Sequence, residues 1–256
     1  MTLDTRPRLH GPANLVVLGL VLWANGMAGS GALSGESIGL IANRYASTFL
    51  PAGWVFSIWS LIYLWLSGFV VYQLLPGQRD NEALARLGWG WAVNGALNIA
   101  WVVTFSFALF GPALVVMIAL LLNLIWISER VGWSQRPLGT AERLWVAYPF
   151  GLYLAWISVA LIANTFQYLT YLEWGGFGVS GEMWSAIMMA VATGLAAFMV
   201  RARGNWLFPL VFGWAFIGIA DRFEGVPLIA NTAHVMTGVG LVLVVSCALG
   251  FRPRSG

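Results

Sequence analysis

Long apolar runs separated by short polar breaks constrain the fold of this 256-residue chain more than any other feature. Hydrophobic residues make up 59% of the chain and charged residues only 9%, which leaves too little polar surface for a water-soluble globule. About twenty apolar residues are enough for a helix to cross the hydrocarbon core of a bilayer. The sequence therefore predicts an all-α, polytopic membrane protein with eight transmembrane helices, at residues 13–33, 53–75, 89–109, 112–128, 144–170, 183–200, 205–220 and 228–250.

The distribution of the arginines supports the same count. No lysine occurs, so all thirteen Lys or Arg residues are arginine. With eight spans, only Arg44 and Arg222 lie on one side of the membrane. The others share the opposite side with both termini, at Arg6, Arg8, Arg79, Arg86, Arg130, Arg136, Arg143, Arg201, Arg203, Arg252 and Arg254. Because cytoplasmic segments carry an excess of basic residues, we expect both termini in the cytoplasm and a location in the cell (inner) membrane.

The longest stretch without an obvious helix is residues 34–52, which are rich in Gly and Ser. The arginine pattern places this stretch on the exterior side, between the first two spans. Long loops in compact proteins are often functional, and we therefore expect residues 34–52 to form a lid.

Three tryptophans lie at similar depth beneath this segment. Residues 51–63 (PAGWVFSIWSLIY) lead into the second span, and Trp59 lies about 8 Å further along it than Trp54. Trp101 in the third span and Trp156 in the fifth each lie about 18 Å beyond the start of their helix. Membrane proteins usually place Trp at the water interface. A deep Trp either packs against other helices or lines a cavity, and the sequence leaves both interpretations open.

Polar residues accompany these tryptophans. Asn98 lies in the third span, whereas Tyr153 and Asn164 lie in the fifth. Trp156, Ala160 and Asn164 are spaced four apart and so share one helix face. Asn in a membrane helix commonly joins helices through hydrogen bonds, so a purely structural role is the alternative to a binding role.

These same residues carry a family resemblance. Residues 51–63, 98–105 and 153–164, with the Gly-rich end of the first span at 26–33, resemble the motifs of the tryptophan-rich sensory protein or translocator protein family (TspO/MBR, peripheral benzodiazepine receptor-like). The resemblance covers about residues 13–172. It implies a five-helix bundle with a pocket closed by the segment after the first helix. Members of the family bind tetrapyrroles such as protoporphyrin and haem intermediates.

By motif position, the resemblance implies a pocket lined by Trp54, Trp59, Asn98, Trp101, Tyr153, Trp156 and Ala160, with Asn164 on the same face as Trp156. Arg44 in the lid is then a candidate partner for a propionate. The segment between Trp54 and Trp59 is one residue shorter than the family motif, which favours Trp59 over Trp54 as a pocket residue.

The last three spans have no counterpart in the minimal family. The predicted organisation is thus a cytoplasmic tail at 1–12, a TspO-like bundle at 13–172, three additional helices at 173–250 and a cytoplasmic tail at 251–256.

The expected function is that of a membrane sensor or regulator that binds a tetrapyrrole or similar hydrophobic ligand, with protoporphyrin IX or a haem-like tetrapyrrole as the candidate. A transporter that uses the last three helices is the main alternative, and a porphyrin-degrading enzyme is a third. No catalytic constellation, metal-ligand spacing or required cofactor is predicted. The expected partners are the lipid bilayer and the ligand, with no nucleic acid. Small residues at 26–30 would also permit a homodimer.

Overall fold

The structure, a computed structural model, describes residues 10–132 and 138–249, and every regular element in those ranges is helical. In chain order the α-helices are α1 (His10–Ser30), α2 (Ile38–Arg44), α3 (Ile58–Leu74), α4 (Glu82–Leu87), α5 (Gly90–Ser106), α6 (Phe110–Val131), α7 (Thr140–Glu142), α8 (Tyr148–Tyr171), α9 (Gly181–Arg203), α10 (Leu207–Arg222) and α11 (Pro227–Ala248). A 3₁₀-helix at Gly53–Ser57 leads into α3, and a π-helical turn at Arg143–Ala147 leads into α8. The predicted all-α class is confirmed.

Each predicted apolar run coincides with one long helix, and the ends agree to within a few residues. Six of these helices are long and apolar enough to cross a membrane. The other two are α5 with 17 residues and α10 with 16 residues. At about 1.5 Å per residue they would extend only about 24–26 Å, short of the roughly 30 Å of a typical hydrocarbon core. The count of eight crossings therefore stays a prediction.

Parts of the predicted topology lie outside the described residues. These are Arg6, Arg8, Arg136, Arg252 and Arg254, the tail at 251–256, and the tail at 1–12 apart from residues 10–12. The division of the chain at residue 172 also stays a prediction.

Helix α8 lies at the centre of the bundle. All residues from 149 to 159 are buried, and α8 packs against α3, α6 and α10. Phe208, Phe212 and Phe216 of α10 are buried in the same hydrophobic core as Trp156 of α8. The last three helices therefore share one core with the first five.

The segment at 34–52 is more ordered than the sequence indicated. It contains the short helix α2, where only irregular structure was expected. The Ser37 side chain caps this helix by accepting a hydrogen bond from the Leu40 N–H at 3.3 Å. Burial of Ile41 and Ala42 against the bundle stabilises the turn. These three interactions explain how so short a helix forms in a segment rich in Gly and Ser.

Side-chain hydrogen bonds connect neighbouring segments at each end of the bundle. At one end, the Arg203 guanidinium of α9 pairs with the Glu129 carboxylate of α6 at 2.7 Å. At the other end, Thr48 donates to the Gly181 carbonyl of α9 at 2.9 Å. At that same end, Arg222 of α10 donates to the Asn43 side chain of α2 at 2.9 Å. The 34–52 segment, the start of α9 and the end of α10 therefore lie together.

Gly218 allows α10 to approach the turn before α3. A Cβ atom at this position would lie 1.9 Å from Cγ2 of Val55 and 3.5 Å from Cβ of Pro51. The Gly218 carbonyl accepts a hydrogen bond from the Ala52 N–H at 2.9 Å. A side chain at residue 218 would therefore force Val55 or the backbone beside it to shift.

We predict that Gly218→Ala destabilises the protein by about 1–3 kcal/mol, the usual cost of overpacking a close contact. Thermal unfolding of the detergent-solubilised protein measures the change. Gly194→Ala in α9 is the matched control, because a Cβ there meets nothing within 4 Å. Val55→Ala in the Gly218→Ala background should recover part of the loss, since it removes the clashing methyl groups. Equal stability of the two Gly→Ala variants would contradict the assigned contact.

Candidate ligand-binding cavity

A cavity of about 480 Å³ lies beneath the 34–52 segment. Its walls come from α1, α2, residues 49–56, α3, α5, α8 and α10. Cavities of about 300–1,000 Å³ are typical of small-molecule sites. The helices therefore enclose enough space for a small-molecule ligand.

Trp59 is the centre of the aromatic part of the wall. Its ring stacks on Tyr63 with centroids 5.3 Å apart and on Trp101 with centroids 6.5 Å apart. It meets Tyr153 edge to face at 5.6 Å and Trp156 at 6.1 Å. Trp59, Tyr63, Trp101 and Trp156 also line the cavity. Helices α3, α5 and α8 thus bring Trp59, Trp101 and Trp156 into one aromatic cluster, with Trp59 in contact with the other two.

The indole N–H groups of Trp101 and Trp156 differ in their hydrogen bonding. The Trp101 indole N–H donates to Oδ1 of Asn164 at 3.1 Å, and Nδ2 of Asn164 donates to the Ala160 carbonyl at 3.1 Å. Both Ala160 and Asn164 line the cavity. In contrast, Nε1 of Trp156 is buried and has no hydrogen-bond partner in the described part of the chain. The position of Trp156 is therefore not set by a hydrogen bond. An unpaired buried donor of this kind costs about 1–3 kcal/mol.

Asn98 and Tyr153 form a buried layer next to the cavity and are not part of its wall. Nδ2 of Asn98 donates to the Tyr153 hydroxyl at 2.8 Å. Oδ1 of Asn98 accepts from Nδ2 of Asn25 at 2.8 Å. Of these three residues only Asn25, on α1, lines the cavity. Asn98 and Tyr153 therefore hold α5 and α8 together with α1, behind the wall that Trp59 and Trp156 form.

Two predicted site residues point elsewhere. Trp54 lies in the 3₁₀-helix, where its indole N–H donates to Oδ2 of Asp221 at 2.9 Å and its ring meets Trp214 edge to face at 4.8 Å. It therefore faces α10 and lies outside the cavity wall. Arg44 also lies outside the wall, and its guanidinium forms an ion pair with the Glu36 carboxylate.

The structure adds wall residues that sequence reasoning missed. Ala215 and Ile219 belong to α10, beyond the part of the chain that the resemblance covers. Buried Gln167 lines the cavity and donates to the Ala42 carbonyl of α2 at 3.3 Å. Gln167 and Asn25 are polar residues within apolar helices, a signal that could have identified them. No comparable signal marks Ala215 or Ile219, because small and branched apolar residues occur on every face of such a helix.

The described wall contains no charged side chain. Within the described ranges, no group of three or more His, Cys, Asp or Glu residues could hold a metal ion. The wall can stack flat apolar groups on indole rings, and it offers amide groups from Asn25, Asn164 and Gln167 for hydrogen bonds.

The chain matches a protein-family model, described as TSPO-like protein, over residues 12–246. The match includes the last three helices as well as the first five. No curated protein and no solved structure matches the chain. The family match and the six membrane-length helices make this an integral membrane protein. The chain belongs to the TSPO-like protein family.

Proposed function

We propose that this protein binds a flat, largely apolar ligand of the tetrapyrrole class in the cavity beneath residues 34–52, and acts as a sensor or regulator. The observation that carries the proposal is the convergence of Trp59, Trp101 and Trp156 on one cavity from three helices. Membership in the TSPO-like family supports a membrane ligand-binding or sensory role. Protoporphyrin IX or a haem-like tetrapyrrole is the candidate ligand, and no resident cofactor is required.

The shape and chemistry of the wall support a flat ligand. Indole rings favour offset-stacked or edge-to-face contact with another aromatic ring, worth about 0.5–1.5 kcal/mol per pair beyond the area buried. Ala160 and Ala163 are small residues on the α8 side of the wall and leave room beside Trp156. Amide groups from Asn25 and Asn164 can then fix the orientation of polar edges on the ligand.

The contacts of the 34–52 segment support a sensing function. Helix α2 is held by Gln167 of α8 and by Arg222 of α10. Thr48 further along accepts a hydrogen bond from the Ser185 hydroxyl of α9 at 2.8 Å. A ligand that shifts the segment would therefore alter contacts with three helices, including two from the C-terminal part of the chain. Such contacts can pass a bound state to a partner, provided that the ligand favours one arrangement of the segment over the other.

We further infer eight crossings of the inner membrane with both termini cytoplasmic. Two contacts between helix ends support this topology. Glu129 and Arg203 contact each other, and both fall on the predicted inner side. Asn43 and Arg222 both fall on the predicted outer side and also contact each other. A topology that omitted α5 or α10 as a span would disturb the arginine alternation.

We predict that Trp156→Phe weakens protoporphyrin IX binding about three- to tenfold without destabilising the protein, because it removes stacking area together with an unpaired N–H. Trp101→Phe should also weaken binding but lower stability as well, since it leaves Oδ1 of Asn164 without its donor. Ligand titration followed by Trp fluorescence quenching measures affinity, and thermal unfolding measures stability.

Trp23→Phe is the matched control for these variants, because Trp23 lies on the outer face of α1 with 63% of its surface exposed. Its affinity should equal that of the wild type. Unchanged affinity in both cavity variants would rule out the assigned site. Ligand flux in proteoliposomes, with wild-type protein, would instead favour the transporter.

The topology predicts the accessibility of single cysteines introduced into a Cys247→Ser background. A membrane-impermeant maleimide should label Phe107→Cys and Glu224→Cys in intact cells. Glu82→Cys and Arg201→Cys should react only after lysis, because their loops face the cytoplasm. Labelling of residues 82 and 107 from the same side would show that α5 does not cross, and the pair 201 and 224 tests α10 in the same way.

A further inference from the structure

The predicted outer side of the protein carries two arginines, and they differ in their partners. The Arg44 guanidinium is already paired with the Glu36 carboxylate. Its positive charge is therefore largely compensated. An anionic ligand would have to compete with Glu36 for it.

Arg222 has no such carboxylate partner within residues 10–132 and 138–249. It lies in the last turn of α10, and no carboxylate of a described residue lies within ion-pair distance of it. The neighbouring Asp221 accepts the Trp54 indole N–H through Oδ2 at 2.9 Å. The Arg222 guanidinium instead donates one hydrogen bond at 2.9 Å to the neutral side chain of Asn43. A guanidinium has five N–H donors, so most of its capacity remains for an anion.

Asn43 brings Arg222 to the edge of the cavity. Asn43 belongs to α2 and is itself part of the cavity wall, although its residue surface is exposed. Since no described wall residue is charged, Arg222 supplies a positive charge next to an otherwise neutral cavity. The Asn43 side-chain oxygen orients the guanidinium toward this rim. Arginine also recognises carboxylates through two parallel hydrogen bonds, which makes it well suited to a single anionic group.

We propose that Arg222 binds the anionic group of a ligand whose apolar body occupies the cavity. The ligand class is thus an amphipathic aromatic molecule with a carboxylate at one edge, bound by α10 as well as by the first five helices. This inference rests on the proposed function. It replaces Arg44 by Arg222 as the residue that meets a carboxylate such as a propionate.

The test compares protoporphyrin IX, which carries two carboxylates, with its neutral dimethyl ester. Arg222→Gln removes the charge but keeps an amide donor for Asn43. This variant should bind protoporphyrin IX at least about tenfold more weakly, as expected for loss of a charge-assisted hydrogen bond, and bind the ester as the wild type does. Arg44→Gln is the matched control, since it removes a positive charge from the same predicted side of the membrane, and it should change neither affinity by more than about twofold. Arg222→Lys should retain part of the preference for the acid.

The outcomes separate the two proposals. Equal weakening of acid and ester in Arg222→Gln would mean that Arg222 only holds the segment in place, and it would overturn the anion-binding role. Unchanged affinity for both would overturn it too, and would leave lipid headgroups as the anions that Arg222 meets. In either case binding by the wild type keeps the cavity function intact. If the wild type binds neither porphyrin, the proposed function fails and this inference fails with it.

Discussion

The cavity depends on the close approach of α10 to the turn before α3. Gly218 has no side chain, so the α10 backbone can accept a hydrogen bond from the Ala52 N–H at 2.9 Å. Ala215 and Ile219 lie one turn before and one residue after Gly218, and the contact turns both toward the cavity. The same contact brings Trp54 to Asp221, which draws the first tryptophan of the motif out of the wall. Gly218 thus permits the contact that places Trp54 against α10 and outside the cavity wall.

Location relative to the cavity separates the structural polar groups, such as Asn98, from those in the cavity wall. The Asn98 amide accepts a hydrogen bond from Asn25 and donates one to Tyr153, as expected for a polar group that must find a partner in an apolar bundle. In the wall itself, the Trp156 indole N–H and the Tyr63 hydroxyl are both buried without a hydrogen-bond partner among the described residues.

The helices could be predicted from the sequence because long apolar runs must form helices in a bilayer, whatever their neighbours. The shared depth of Trp59, Trp101 and Trp156 followed from the constant rise of a helix. Tertiary contacts were beyond such reasoning. Nothing local in the sequence shows that Gly218 meets Val55, and the part of α10 in the cavity follows from that contact. Helix α2 was missed because its stability comes from a single cap at Ser37 and from burial against other helices.

The C-terminal helices complete the site, both in its wall and at its rim. Helix α10 supplies part of the wall, and its last turn supplies a cation beside Asn43. Helix α9 fixes the covering segment through the Gly181 carbonyl and the Ser185 hydroxyl, both bonded to Thr48. A bundle that ended after α8 would lack all of these contacts, and one side of the cavity would be open. Of the side-chain hydrogen bonds that hold the 34–52 segment, only the one from Gln167 would remain. Helices α9 and α10 are therefore part of the structure that encloses the cavity, which agrees with a family match that extends to residue 246.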